Sequence, residues 1–202
     1  MITYTHEQQL AADMWNVAFD AVHHGRAMQH YGELADVLYL VASQDPPPRV
    51  VVEIGSAQGG TLMAWRSLPS QPLVYAVTLA HPWGEAVSYG ATVLDGDSHD
   101  RATLQRLRDQ IGGRPVDVLF LDGDHSTAGA QADWDMYSPL VRPGGLVLIH
   151  DIVCAAEPEV GPWWRKLADQ RRQAGDEVSE IIARTGKAPG FGIVRMAGEE
   201  RS

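Results

Sequence analysis

The sequence predicts a doubly wound α/β domain built on a mostly parallel sheet of about seven strands. Three observations carry this reading. Short runs rich in Val, Leu and Ile show little alternation: VVVEI (50–54), PLVYAVTL (72–79), ATVLD (91–95), DVLFLD (117–122) and GLVLIHD (145–151). Such runs suit strands buried on both faces, hence parallel pairing. Longer amphipathic stretches separate them: TLMAWRSL (61–68), RATLQRLRDQI (101–111), STAGAQADWDMYSPLV (126–141) and WWRKLADQRRQA (163–174). This is the alternation of a sheet covered by helices on both sides. The tail places EVSEIIART (177–185) and GFGIVRMA (190–197) around the turn-rich GKAPG (186–190), which predicts an antiparallel hairpin at one sheet edge.

Residues 1–44 read as helices. Apolar residues recur at helical spacing at Leu10, Met14, Val17, Ala18 and Ala21, and again at Leu34, Val37, Leu38 and Val41, with Gly25 and Gly32 as punctuation. DPPPR (45–49) then ends the helix, because proline cannot continue its hydrogen-bond ladder. The expected organisation is a helical cap over 1–44 and an α/β core over 45–202, together one domain. Apolar faces on the first two helices suit a homo-oligomer or packing onto the core equally well.

A chain of 202 residues is long enough to bury a core, and its formal net charge of -10 leaves no basic surplus for a phosphate backbone, so nucleic acid is not an expected partner. The single cysteine, Cys154, allows no internal disulfide and fits a reducing compartment. MITYTHEQQL has no basic stretch leading into an apolar one, and no apolar run has the length of a membrane span, so a cytoplasmic location away from membranes is expected.

In open α/β sheets ligands sit beyond the carboxyl ends of the strands, so those ends carry the chemistry. After the first strand stands VVEIGSAQGGTLMAW (51–65), where Gly55, Gly59 and Gly60 permit a sharp turn and close approach of a ligand. No Gly-Lys-Ser/Thr follows, so it is not a P-loop, and it is not a G-x-G-x-x-G either. Glu53 adds negative charge and suits a ligand with a cationic group. The plain alternative is a tight turn with packing glycines. After the third strand, LDGDSHD (94–100) offers Gly96 and Ser98 to a base edge, or Asp97 and Ser98 as a helix N-cap.

After the fourth strand stands LDGDH (121–125), and after the fifth IHD (149–151). Neighbouring carboxylates repel unless a cation, a hydrogen-bond partner or water intervenes. Asp122, His150 and Asp151 on adjacent strands suit one divalent cation. His125 suits a general base, its ordinary pKa lying at roughly 6.5. The competing reading makes Asp122 and Asp151 caps of the following helices. Asp20, His23 and His24 share a helix face and read as solvated surface. Trp163 and Trp164 open a helix, one as core and the other as a wall for an organic substrate.

EIGSAQGGT, GDSHD and FLDGDHSTAGAQADWDMYSPLVRPGGLVLIHD together resemble the class I S-adenosylmethionine-dependent methyltransferases over roughly residues 25–196. The similarity is to the small-molecule O-methyltransferase branch, which includes catechol, caffeoyl-CoA and macrolide-sugar enzymes. The cephalosporin-hydroxylase-like group shares its fold. The resemblance implies a Rossmann-like core. It places Glu53, Gly55, Ser56, Ala57, Gly59 and Thr61 at the methionine part of the cofactor, and Thr78, Ser98, His99 and Asp122 along the rest of it. It places Asp122, His150 and Asp151 at a divalent metal, Mg or Mn, and His125 at the base. Gln29 and Asp124 join Trp163 and Trp164 on the substrate side.

Two positions depart from the family. Thr78 stands where an acid usually grips both ribose hydroxyls, with His81 and the Glu85 region nearby as compensating groups. His150 replaces a carboxylate, which turns the donor set towards a transition metal. The implied activity is methyl transfer to a hydroxyl of a small molecule. The alternatives are a metal-independent methyltransferase, or a binding or assembly subunit on the same fold. A nicotinamide dehydrogenase fits worse, given Glu53 and the glycine spacing.

Overall fold

A computed structural model of the chain describes residues 4–79, 88–183 and 188–198. α1 (His6–His23) starts at a capping box, in which Thr5 Oγ1 accepts from the Gln8 amide and the Gln8 side chain accepts from the Thr5 amide. Its Met14, Ala18 and Ala21 fall on one buried face. α2 (Tyr31–Ala42) buries Leu34, Val37, Leu38 and Val41 in the same way. The break between the helices falls at Gly25. Gly32, expected as punctuation, lies in the first turn of α2 instead.

The core follows as β1 (Val50–Ile54), α3 (Gly60–Arg66), β2 (Leu73–Thr78), β3 (Thr92–Asp95), α4 (Arg101–Ile111), β4 (Val116–Leu121), α5 (Thr127–Tyr137), β5 (Val141–His150), α6 (Val160–Gln173), β6 (Glu177–Ile181) and β7 (Phe191–Arg195). The seven strands form one sheet in the order β3-β2-β1-β4-β5-β7-β6. The first five pair in parallel, β7 runs antiparallel to β5, and β6 runs antiparallel to β7 at the edge. The seven-stranded, mostly parallel sheet and its terminal hairpin are therefore as expected, although part of GKAPG lies outside the described residues. β5 starts four residues earlier than expected, with a register shift against β4 between Val116 and Val118.

α1, α2 and α3 cover one face of the sheet, packing on Val51, Val118 and Phe120. α4, α5 and α6 cover the other, packing on Val52, Ile54 and Leu119. Successive β1 residues thus point into opposite cores, which is why the run shows no polar alternation. The chain proceeds from β1 outward to β3 and then returns to β4 on the other side of β1. That reversal opens a crevice between the carboxyl ends of β1 and β4. Among the described residues no helix is long and apolar enough to cross a membrane.

Candidate active site

The crevice is a cleft of about 790 Å³, within the range of small-molecule sites. Its floor is the turn after β1. Gly55 has φ +87°, and a Cβ there would lie 2.1 Å from the Asp122 carbonyl oxygen, so only glycine lets the two strand ends meet. Ala57 is also left-handed, at φ +43°. Gly59, at φ +86°, precedes α3. The Ser56 hydroxyl is buried in the cleft wall and has no partner among the described residues. Such an orphaned group marks a place where a ligand supplies the missing hydrogen bond.

Glu53 is placed differently from the expectation. It is fully buried and absent from the cleft wall, because its side chain turns towards α3. A hydrogen bond of 2.5 Å joins Thr61 Oγ1 to its Oε1, and Trp65 Nε1 donates to its Oε2 at 2.6 Å. Burial pushes the Glu53 carboxyl up to about 8, against the two hydrogen bonds that favour its charge, and the charge of Asp122 adds to the rise. Glu53 braces α3 against β1.

At the end of β4 and β5 four side chains gather around two carboxylate oxygens. His125 Nε2 lies 3.4 Å from Asp122 Oδ1 and 3.0 Å from Asp151 Oδ2. His150 Nδ1 lies 3.2 Å from the same two oxygens. Gln29 Nε2 donates to Asp122 Oδ2 at 2.7 Å. Asp122, His125 and Asp151 offer ligand atoms within 4.8 Å of one another, a set that could hold a metal ion. His125 completes this set, while His150, the imidazole expected at the metal, lies 3.2 Å through Nδ1 from an oxygen of each aspartate. His150 stands deeper, 5% exposed against 32% for His125, and packs on the Phe191 ring at 4.7 Å. Asp151 is left-handed at φ +64°, a strained backbone of the kind that collects at functional sites.

The electrostatics follow from this crowding. Hydrogen bonds donated to the Asp122 and Asp151 carboxylates hold the His125 imidazole up to about 10. Burial works against the His150 cation, yet the same two carboxylates raise it to about 10. Burial alone would raise Asp151, but the two histidines hold it well below the usual carboxylate range. The capping alternative fails: Ser126 caps α5, its Oγ accepting from the Gly129 amide, and Glu159 precedes α6. His125 accordingly sits just ahead of α5.

At the other end of the cleft, Thr78 closes β2 and Ser98 and His99 follow β3. Asp100 caps α4, accepting from the Ala102 amide, so Asp97 and Ser98 are not its caps. His99 Nε2 lies 3.3 Å from Asp133 Oδ1, and Tyr137 donates its hydroxyl to the Ser98 carbonyl at 2.7 Å. Asp133 and Tyr137 thus hold the Ser98–His99 turn from beneath.

Residues 52–152 match a family described as a methyltransferase domain. The chain belongs to this methyltransferase family. It is 34% identical over 109 residues to 8-demethyl-8-alpha-L-rhamnosyl tetracenomycin-C 2'-O-methyltransferase of Streptomyces olivaceus, a match covering 50% of the chain and 28% of that protein. It is 30% identical over 103 residues to demethylmacrocin O-methyltransferase of Streptomyces fradiae, covering 51% and 25%. The matched region is about a quarter of the length of these curated relatives. Among solved structures, MycE methyltransferase from the mycinamycin biosynthetic pathway, in complex with Mg, SAH and mycinamycin VI, superposes with a TM-score of 0.68. The identity is 18%, over 94% of this chain and 56% of that one, which is a likeness of fold.

The remaining expected residues of this methyltransferase fall into two groups. Gln29 and Asp124 line the cleft, and Asp124 Oδ1 accepts from the Ser126 amide at 2.8 Å, which holds its carboxyl below the usual range. Trp163 and Trp164 do not line it. α6 begins at Val160, so both rings fall on its inner face: Trp163 Nε1 donates to Gln131 at 2.9 Å and Trp164 Nε1 to Glu180 at 2.7 Å. Trp163 borders only a small cavity of about 20 Å³ behind Asp122 and His125. His81 and Glu85 lie outside the described residues. Sequence reasoning missed Arg26, Glu157 and Cys154 in the cleft wall and Asp133 beneath it. The signal for Asp133 was its spacing, four residues before Tyr137 on the inner face of a helix.

Proposed function

We propose that this methyltransferase moves a methyl group from S-adenosylmethionine to a hydroxyl of a small molecule, assisted by a divalent cation. The observation that carries the reading is the single cleft that joins the Ser56 turn to the Asp122, His125 and Asp151 cluster. The orphaned Ser56 hydroxyl and the turn around Gly55 suit the methionine part of the cofactor, with Thr78, Ser98 and His99 along the nucleoside. The relatives, a rhamnosyl tetracenomycin-C 2'-O-methyltransferase and a demethylmacrocin O-methyltransferase, favour a hydroxylated natural product as acceptor.

Asp122 and Asp151, with His150 as the buried imidazole donor, would hold the cation, Mg or Mn, with the imidazole favouring a transition metal. When bound, it supplies Lewis acidity towards the acceptor hydroxyl. Both imidazoles line the cleft, and His125 is the better base because it is the more exposed of the two. Paired only with Asp122 and Asp151 it is cationic near neutral pH; it accepts a proton once those carboxylates are neutralised by another positive charge. Gln29 fixes the Asp122 carboxylate, and the cap segment before it shields the cleft. Most of the chain's contribution is to hold acceptor and methyl donor in line.

Calorimetric titration of S-adenosylhomocysteine, with and without Mg or Mn, tests this. Binding is expected in the range of micromolar cofactor sites. No binding overturns the reading, and turnover untouched by a chelator overturns its metal part.

A further inference from the structure

Five carboxylates line the cleft: Asp97, Asp122, Asp124, Asp151 and Glu157. Among the described residues, one Arg and no Lys line it, and that residue is Arg26. The cofactor of the proposed reaction carries a sulfonium and an ammonium, which suit those carboxylates. It also carries an α-carboxylate, which they repel. A buried or half-buried carboxylate needs a cation or several donors. The cleft must therefore hold the amino-acid end of the cofactor against its positive group.

Arg26 stands at the right end. Its Nη1 donates to Gln58 Oε1 at 3.3 Å, which puts the guanidinium beside the turn of Ser56 and Ala57. That turn follows β1, between the carboxyl ends of β2 and β4, and carries the Ser56 hydroxyl left without a partner among the described residues. The next residue, Ala27, is packed so closely on α3 that a Cβ on Gly60 would lie 2.0 Å from the Ala27 amide nitrogen. The Arg26 backbone is thus fixed to the floor of the site, although its side chain is exposed. Arg26 is left-handed at φ +65°, as is Ala57 across from it at φ +43°. Two non-glycine residues in this conformation on facing segments are a cost the fold carries at a site of use. The arginines that form ion pairs among the described residues are Arg142, Arg171, Arg172 and Arg195. Arg26 forms none, despite the acid-rich cleft beside it.

We infer that Arg26 is a cofactor-binding residue, its guanidinium receiving the α-carboxylate of the methionine moiety beside Ser56 and Gln58. The assignment rests on the cofactor reading above. It makes Arg26 a determinant of specificity: ligands with an amino-acid tail are held, and the bare thionucleoside is not distinguished by this residue. A planar, permanently charged guanidinium suits a carboxylate better than an ammonium does.

The test is calorimetry on the whole chain with two probes, S-adenosylhomocysteine and 5′-methylthioadenosine, which lacks the amino-acid tail. Arg26→Gln keeps a similar length and leaves the left-handed backbone as it is. It should weaken S-adenosylhomocysteine about 10- to 100-fold, the worth of a charge-assisted hydrogen bond, and leave 5′-methylthioadenosine within about twofold. Arg26→Lys should recover part of the loss, and rising salt should weaken the unmodified chain more than Arg26→Gln. Equal losses on both probes, or no loss on either, overturn the assignment while leaving the cofactor reading standing. Failure of the unmodified chain to bind S-adenosylhomocysteine overturns both.

Discussion

Gln29 Nε2 donates to Asp122 Oδ2 at 2.7 Å, and this bond ties the N-terminal cap to the carboxyl end of β4 across the cleft. Gln29 is buried, and its own Oε1 has no partner among the described residues. The amide therefore orients the carboxylate on one side and presents an acceptor on the other. Gln29→Leu should keep the volume, leave Asp122 Oδ2 without its donor and destabilise the chain by about 1–2 kcal/mol. Urea denaturation measures that change. Amide exchange over residues 25–30 should rise in the same variant, since the cap loses its tie.

Gly55→Ala should be far more damaging. The new Cβ would meet the Asp122 carbonyl oxygen at 2.1 Å, and the backbone must stay at φ +87°. Neither neighbour is a flexible side chain, so β1 and β4 must part. A loss of about 3 kcal/mol or more is expected, with cofactor binding abolished even where the chain still folds. A thermal midpoint within a few degrees of the unmodified chain would show that the strand ends are not locked together here.

The sheet and the strand ends were legible in the sequence because burial on both faces writes itself as unbroken Val, Leu and Ile runs. LDGDH and IHD were legible as a site because charges at strand ends demand partners. What the sequence hid was direction. Glu53 reads as a site acid, but the alternation of β1 turns it under α3, towards Thr61 and Trp65. Of Trp163 and Trp164, which open a helix in the sequence reading, one reads as core and the other as a pocket wall, whereas α6 starts at Val160 and turns both rings inward. His150 reads as a metal ligand and His125 as a base, but the depth that separates them, His150 against Phe191, is not written in their spacing. Arg26 was invisible because its role depends on a left-handed backbone and on a partner, Gln58, 32 residues away.

Thr78→Glu should strengthen cofactor binding. Thr78 closes β2 in the cleft wall, and among the described residues its hydroxyl makes only a long contact of 3.4 Å to the Leu79 carbonyl. A carboxylate at this position accepts from two ribose hydroxyls where a threonine offers one oxygen. Calorimetry with S-adenosylhomocysteine should show a gain of about tenfold. An unchanged or lower affinity would mean that the ribose lies elsewhere in the cleft.

Glu53 gives the chain a pH dependence that one substitution should remove. Its carboxyl is raised from 4.5 to about 8 by burial, so between those values the folded chain keeps a proton that the unfolded chain releases. Stability is then full below pH 4.5, falls as pH rises through the window and levels off above pH 8, with a slope of up to about 1.4 kcal/mol per pH unit. Trp65 Nε1 can only donate, so the proton of the neutral carboxyl sits on Oε1, and the Thr61 hydroxyl, which donates to Oε1 when Glu53 is charged, then accepts from it. Glu53→Gln reproduces that arrangement: an amide oxygen for Trp65 and an amide hydrogen for the Thr61 hydroxyl. The variant should match the unmodified chain near pH 5 and exceed its stability by a growing margin up to pH 8. Urea denaturation of both chains from pH 5 to 9 measures the difference, in which the shared titration of His125 and His150 cancels. Parallel curves would mean that Glu53 is ionised in the folded chain, held by Thr61 and Trp65 strongly enough to overcome its burial.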